Sequence, residues 1–374
     1  TQNAVRQMQA LGIQPDIIVA RSEKEIDKKR LERLALFCNV NPDCIFSAPD
    51  MKSVYQIPIF FRNSRTKLDE EVLKLLNLKR RKHEILSRWV RLVSSIEKPK
   101  SKTLKIAMVG KYFVTGDYKL SDSYVSVIEA IRHASWYLGV DVKVSWIDSE
   151  DVEIGKQALG DFDGIVVPQG WGARGTEGKI MAAKYARENN IPYLGLCFGM
   201  QMAVIEFARN VLGFKDANST EVNHKTRYPV IHVMPNQKEY LAKRQYGGTI
   251  RLGAWPCTVV KGTRLNQCYQ GYGKDKNAPW YQPNRIQSKS KRDLGGLTIY
   301  ERHRHRYEFN NKYKDKFQKA GMIISGSSPD GELVEAIEIK NHPFFVGTQF
   351  HPEYISSPLT PHPIFVSFLK ALNP

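Results

Sequence analysis

Cys197 stands between two glycines in the run Gly195-Leu196-Cys197-Phe198-Gly199, after one apolar stretch and before another. A cysteine is by default a small buried hydrophobe. This pattern, however, is that of a nucleophile elbow, in which a strand turns abruptly into a helix and the middle residue projects from the bend. A side chain at either glycine would crowd the turn. Val204, Phe207, Ala208, Val211 and Leu212 then recur on one helical face, with Gly213 as the stop. The sulfur is thereby expected at a helix N-terminus, where the dipole favours the reactive thiolate. A proton carrier is offered by His351 in Phe-His-Pro-Glu, with Glu353 two residues on, so that on an extended segment the carboxylate and imidazole share one side. The segment Val166–Gly175, VVPQGWGARG, reads as a buried strand ending in a glycine-dense turn whose N–H groups could meet a developing oxyanion.

Positioning such groups requires a regular frame. From Leu104 the chain alternates apolar strands (LKIAMVG, VDVKVSWID, FDGIVVP, IPYLGLC) with helical segments at βαβ spacing. This predicts an α/β fold with a mostly parallel sheet flanked by helices. After Gly213 the pattern predicts shorter strands and loops, closed by a helix at HPIFVSFLKAL. Residues 1–93 read as a partial α/β unit followed by a long basic helical stretch from Arg62 to Arg91, 94–103 as a linker, and 104–374 as the larger domain.

The net charge of +18 is concentrated. Arg62–Lys105 holds fourteen Lys and Arg against five Asp and Glu, and Lys261–Asp293 eight against two. Neither segment resembles a base-reading helix, so nucleic acid is not the expected partner, and 261–293 reads as an exposed basic insertion. No apolar run reaches the length of a membrane span, and no export signal opens the chain. Five cysteines without a Cys-x-x-Cys pair argue against disulfides and zinc and fit a reducing cytoplasm.

The segments Gly195–Gln201, Pro168–Gly175 and Phe350–Glu353 closely resemble the class I, or triad, glutamine amidotransferases. More narrowly, RNVLGFKDANSTE, GGTIRLG, ERHRHRYEFN and NHPFFVGTQFHPE resemble the CTP synthase family, and residues 1–22, 34–40 and 54–58 resemble the end of that family's synthetase domain. The resemblance implies a flavodoxin-like glutaminase domain in which Cys197 attacks glutamine, His351 shuttles the proton and Glu353 holds the histidine. It implies an oxyanion hole from the N–H groups of Gly170 and Phe198, and glutamine binding by Gly170, Phe198, Gly199, Met200, Gln201, Glu221 and Arg306. Thr1, Gln2 and Arg33 match positions that bind UTP, or CTP as inhibitor. The partners implied are glutamine, UTP and ATP with magnesium, GTP as activator, and further copies of the chain in tetramers or filaments. No covalently bound cofactor and no metal ligand is expected. A metal at His303 and His305 is disfavoured by the alternating arginines. No G-x-x-x-x-G-K-[ST] loop occurs, so the ATP-binding part is expected outside this sequence. Two other readings remain open: a glutaminase serving another synthetase, and a filament-type regulatory subunit with little activity. The chain departs from the family at Gln169, where a glycine is usual; a positive φ there would cost on the order of 1 kcal/mol.

Overall fold

In the computed structural model all residues are described except 52, 64–66, 81–84, 101, 112–113, 116–117, 120–122, 234–249, 271–291, 294–295 and 373–374. The described chain divides into two compact units, Thr1–Glu97 and Lys98–Pro374.

The first unit runs α1 (Gln2–Ala10), β1 (Ile18–Ser22), α2 (Lys28–Cys38), β2 (Ile45–Pro49), α3 (Ile57–Asn63), α4 (Leu68–Leu75) and α5 (Ile85–Glu97). Strands β1 and β2 are parallel, with Ile18 opposite Ile45. Val5, Ile18, Ala35, Cys38 and Ile45 form their common core. The single helical stretch expected from Arg62 to Arg91 is instead distributed over three helices. The linker expected from residue 94 begins later, because α5 continues its buried face through Leu92 and Val93 to Glu97. It stops just ahead of Lys98-Pro99, where proline disfavours a helical residue before it.

The second unit continues with β3 (Thr103–Gly110), β4 (Val114–Thr115), β5 (Tyr118–Lys119), α6 (Val125–Leu138), β6 (Asp141–Asp148), α7 (Ser149–Glu153), β7 (Gly164–Val167), α8 (Thr176–Glu188), β8 (Tyr193–Leu196) and α9 (Phe198–Asn210). There follow β9 (Ala217–Ser219), β10 (Tyr228–Val233), β11 (Arg251–Val259), α10 (Arg264–Gln270), β12 (Arg292–Asp293), β13 (Gly296–His305) and β14 (Tyr307–Phe309). The chain closes with α11 (Lys314–Lys319), β15 (Met322–Ser327), β16 (Val334–Ile339), β17 (Phe345–Thr348) and α12 (Pro363–Ala371).

Ten strands form one sheet in the order β12-β13-β11-β15-β16-β17-β8-β7-β3-β6. The half from β17 to β6 is parallel. The half from β17 to β12 is antiparallel. The expected α/β class holds, with a mixed sheet in place of a mostly parallel one: helical crossovers join the parallel strands, while the short connections from β15 through β16 to β17 make those neighbours antiparallel. Every residue of β7, β8 and β17 is buried, as covering on both faces requires. The strands beyond Gly213 are not uniformly short, since β11 has 9 residues and β13 has 10, paired along nine positions.

Within the expected basic loop 261–293, Arg264–Gln270 is helical and buries Leu265 and Cys268, which share a face at i, i+3. Glu338 caps that helix, accepting from the N–H groups of Arg264 and Leu265 at 2.9 and 2.7 Å. The stretch 271–291 lies outside the described residues. All five cysteines are unpaired and buried, and among the described residues no helix is long and apolar enough to cross a membrane.

Candidate active site

Strands β7, β8 and β17 are adjacent and parallel, so their carboxyl ends open on one sheet edge. Such an edge is where open α/β sheets place their ligands. Pro168–Gly172 follows β7, Cys197 follows β8, and Gln349–Glu353 follows β17.

Cys197 adopts φ 51° and ψ −98° and immediately precedes α9. The other described non-glycine residues with positive φ are all Asn, the type that tolerates this region best. A strained backbone of this kind costs about 1–3 kcal/mol and persists only when its surroundings fix it. Here the Cys197 N–H donates to the Thr348 carbonyl at 2.6 Å, extending the pairing of β8 with β17 by one residue. The flanking glycines have a steric origin. A Cβ on Gly199 would lie 2.0 Å from the Val167 carbonyl oxygen, and one on Gly195 2.8 Å from the Gly199 backbone. The first turn of α9 therefore sits directly on β7 and β8, with its positive dipole end at the sulfur. Phe198, Gly199, Met200 and Gln201 are all buried there.

His351 Nδ1 lies 2.7 Å from Glu353 Oε1, and both side chains are buried. The extended segment expected for this pair is a 3-10 turn over Pro352–Ile355, since Pro352 fixes a helical φ straight after His351. The imidazole stacks on Tyr354, with ring centres 4.8 Å apart, and the His351 N–H donates to the Arg302 carbonyl. Burial pushes the imidazole pKa down; the Glu353 carboxylate and the Cys197 thiol outweigh it and hold the value well above the ordinary histidine range. Nε2 is buried, with no hydrogen-bond partner among the described residues.

Gln349 was not singled out in the sequence. Its Nε2 lies 3.5 Å from Cys197 Sγ. Its Oε1 accepts from Gln201 Nε2 at 3.1 Å, and Gln201 Nε2 also reaches the Tyr307 carbonyl at 3.0 Å. The two-residue spacing from Gln349 to His351 was the available signal, because alternate residues leave a strand on one side.

In the turn after β7, positive φ falls at Gly172 and Gly175 and not at Gln169, so the feared strain there does not arise. A Cβ on Gly170 would lie 2.9 Å from Lys111 Cε and 3.6 Å from the Phe198 ring, so this turn and the elbow are in contact. The Gly172 N–H donates to Glu221 Oε1 at 2.8 Å. Burial raises the Glu221 pKa, while that N–H and the charges of Lys111 and Arg306 lower it. Glu221 and Arg306 are thus within electrostatic reach of one another. Two further cations are buried beneath the turn. Lys111 Nζ donates to the Trp171 carbonyl and, at 2.8 Å, to that of Gly172; burial lowers its pKa to about 8. Lys179 Nζ donates to the carbonyls of Pro168 at 2.8 Å and Gln169 at 3.5 Å, and burial lowers its pKa strongly.

Among the described residues no group of three or more His, Cys, Asp and Glu is placed to hold a metal ion. His303 Nδ1 and His305 Nε2 lie 2.8 Å apart, and Arg251, Glu308 and Glu335 close a buried cluster around them. Thr1 and Gln2 open α1, and Arg33 is exposed on α2, in the other unit.

An elbow cysteine after β8, flanked by a histidine–carboxylate pair after β17 on one side and a glycine turn after β7 on the other, defines a triad amidotransferase fold. Residues 119–371 match the family Glutamine amidotransferase class-I, and the chain belongs to it. Within that family it falls among the CTP synthases: residues 1–78 match the family CTP synthase N-terminus. It is 46% identical over 374 residues to the CTP synthase of Caldanaerobacter subterraneus subsp. tengcongensis and 42% identical over 373 residues to that of Staphylococcus aureus strain JH9. These matches cover 100% and 99% of this chain and 63% of each relative, so the chain spans less than two thirds of the relatives' length. The structure of the Trypanosoma brucei CTPS glutaminase domain with bound acivicin superposes with a TM-score of 0.60 at 36% identity, covering 72% of this chain and 93% of that one.

Proposed function

We propose that Lys98–Pro374 hydrolyses glutamine through a thioester on Cys197, and that the ammonia serves ATP-dependent amination of UTP to CTP in the whole enzyme. The observation that carries this reading is the strained elbow of Cys197 beside the buried His351–Glu353 pair. The Cys197 thiolate adds to the carboxamide carbon, forming a C–S bond and moving the C=O electron pair onto oxygen. The Gly170 and Phe198 N–H groups receive that oxyanion, each worth on the order of 3 kcal/mol. Imidazolium His351 gives its Nε2 proton to the departing nitrogen, the C–N bond breaks, and ammonia leaves. Neutral His351 then takes a proton from water as it attacks the thioester, and glutamate and the thiolate are released. Glu353 keeps Nδ1 protonated throughout, so that Nε2 faces the reacting atoms.

Glu221 suits the substrate's α-ammonium and Arg306 its α-carboxylate, while Gly199, Met200 and Gln201 border the site. The similar trypanosomal glutaminase domain holds a small molecule, acivicin, as this site would hold glutamine. Thr1, Gln2 and Arg33 are assigned to the UTP or CTP side, residues 1–93 to the synthetase domain and 104–374 to the glutaminase. ATP supplies the phosphoryl group that activates UTP, with magnesium and with GTP as activator. Assembly into homo-oligomers belongs to the same family reading.

Mass spectrometry of acid-quenched protein during glutamine turnover tests the chemistry. A glutamyl adduct on the Cys197 peptide is expected; steady ammonia release with that peptide always unmodified would overturn it.

A further inference from the structure

The turn Pro168–Gly172 has an unusual underside. In five residues, four carbonyl oxygens, those of Pro168, Gln169, Trp171 and Gly172, point at two buried ammonium groups. Lys111 is 1% and Lys179 0% exposed. Burial lowers the pKa of both lysines, so each is held at an energetic disadvantage that solvent exposure would remove. The Phe198 ring lies against both, 4.5 Å from Lys111 Nζ and 5.5 Å from Lys179 Nζ.

A trans peptide points its C=O and N–H in opposite directions. Fixing a carbonyl downward on a lysine therefore aims the next residue's N–H upward. The Trp171–Gly172 unit shows this directly: its carbonyl is on Lys111, and its N–H is on Glu221 Oε1 at 2.8 Å. The Gln169–Gly170 unit follows the same rule, with its carbonyl toward Lys179 and its Gly170 N–H turned away from it. Lys111 Cε further fills the space beneath Gly170, where an added Cβ would be only 2.9 Å away.

We infer that Lys111 and Lys179 are positioning residues of the glutaminase, a two-lysine clamp that sets the faces of successive peptide units in the oxyanion turn. Lys179 orients the Gly170 N–H toward the developing oxyanion, and Lys111 orients the Gly172 N–H that fixes Glu221 for the substrate's ammonium. This rests on the glutaminase reading. It assigns the two lysines different kinetic signatures, which a shared structural role would not produce.

The test replaces each lysine by methionine, which fills nearly the same volume without charge or donor. Active sites are counted by alkylation of Cys197 with iodoacetamide, which needs no oxyanion donor. Lys179→Met is expected to lower kcat per active site on the order of 10²-fold, the loss typical of one misplaced donor, with KM for glutamine little changed. Lys111→Met is expected to raise KM on the order of tenfold with a smaller fall in kcat. Unchanged constants, or losses that only track the count of active sites, would overturn the clamp. If Lys179→Met does not fold, Lys111→Met decides alone, an unchanged KM refuting the proposal. Hydrogen exchange of peptides covering 164–175 should speed up in both variants, and unchanged exchange counts against the clamp whether or not glutamine is the substrate. Absence of ammonia release from the wild-type protein would instead refute the glutaminase reading.

Discussion

Replacing Glu353 by Gln removes one negative charge while keeping a hydrogen-bond acceptor of the same shape 2.7 Å from His351 Nδ1. At that separation and an effective dielectric near 20, the gross attraction between carboxylate and imidazolium is roughly 6 kcal/mol. Desolvation of both buried groups offsets part of it. A net loss of about 4 kcal/mol at the step that forms imidazolium corresponds to a fall on the order of 10³-fold in kcat. The assay is ammonia release from glutamine across pH. Burial lowers the His351 pKa, and Glu353 with Cys197 raises it above the ordinary range. Without Glu353 the balance shifts downward, so the alkaline limb of kcat/KM moves to lower pH. Stability follows with a definite sign. Because the folded pKa is raised, the pair's contribution is complete below the unfolded value of about 6.5 and is lost as pH rises through the folded value. The gap in melting temperature between wild type and Glu353→Gln should therefore be widest in acid and narrow with rising pH. A variant within tenfold of wild type, with an unmoved alkaline limb, would show that the Glu353 charge does not sustain the imidazolium.

Gly199→Ala would set a Cβ 2.0 Å from the Val167 carbonyl oxygen; a clear fall in melting temperature and loss of hydrolysis are expected by calorimetry and ammonia assay, because backbone must move. Gln349→Leu removes a donor 3.5 Å from Cys197 Sγ and one of the two acceptors of Gln201 Nε2; kcat is expected to fall about fivefold, in keeping with a neutral hydrogen bond worth ~1 kcal/mol. Glu221→Gln should raise KM for glutamine on the order of 10²-fold while sparing Cys197 alkylation, since a charged hydrogen bond is worth about 1.5–3 kcal/mol. For Lys111, folded pKa about 8 against 10.5 unfolded means that the unfolded chain binds more protons between those values, so stability rises with pH there. The melting temperature of the wild type should gain on Lys111→Met across that window.

The elbow was legible because its sterics are local: Gly195 and Gly199 advertise a close approach that the neighbouring strands then explain. The parallel strands were equally legible, since burial on both faces leaves an uninterrupted apolar run. The 3-10 turn at Glu353 was missed because a two-residue spacing fits both an extended segment and a turn, and Pro352 decides between them. Lys111 and Lys179 were invisible for a different reason. A lysine in sequence reads as solvated surface, and only the crossing of β3 and α8 beneath the turn converts these two into buried donors to carbonyls 10 to 61 residues away. Leu265 and Cys268 were hidden in the same way by the basic composition around them.

Whether Cys197 is the nucleophile of a glutaminase is decided by measuring glutamate and ammonia from glutamine for this chain and for Cys197→Ala, with and without GTP. Equimolar glutamate and ammonia are expected from the wild type and none above background from Cys197→Ala. Hydrolysis that survives the loss of the thiol, or a wild-type chain inert under both conditions, would contradict that role.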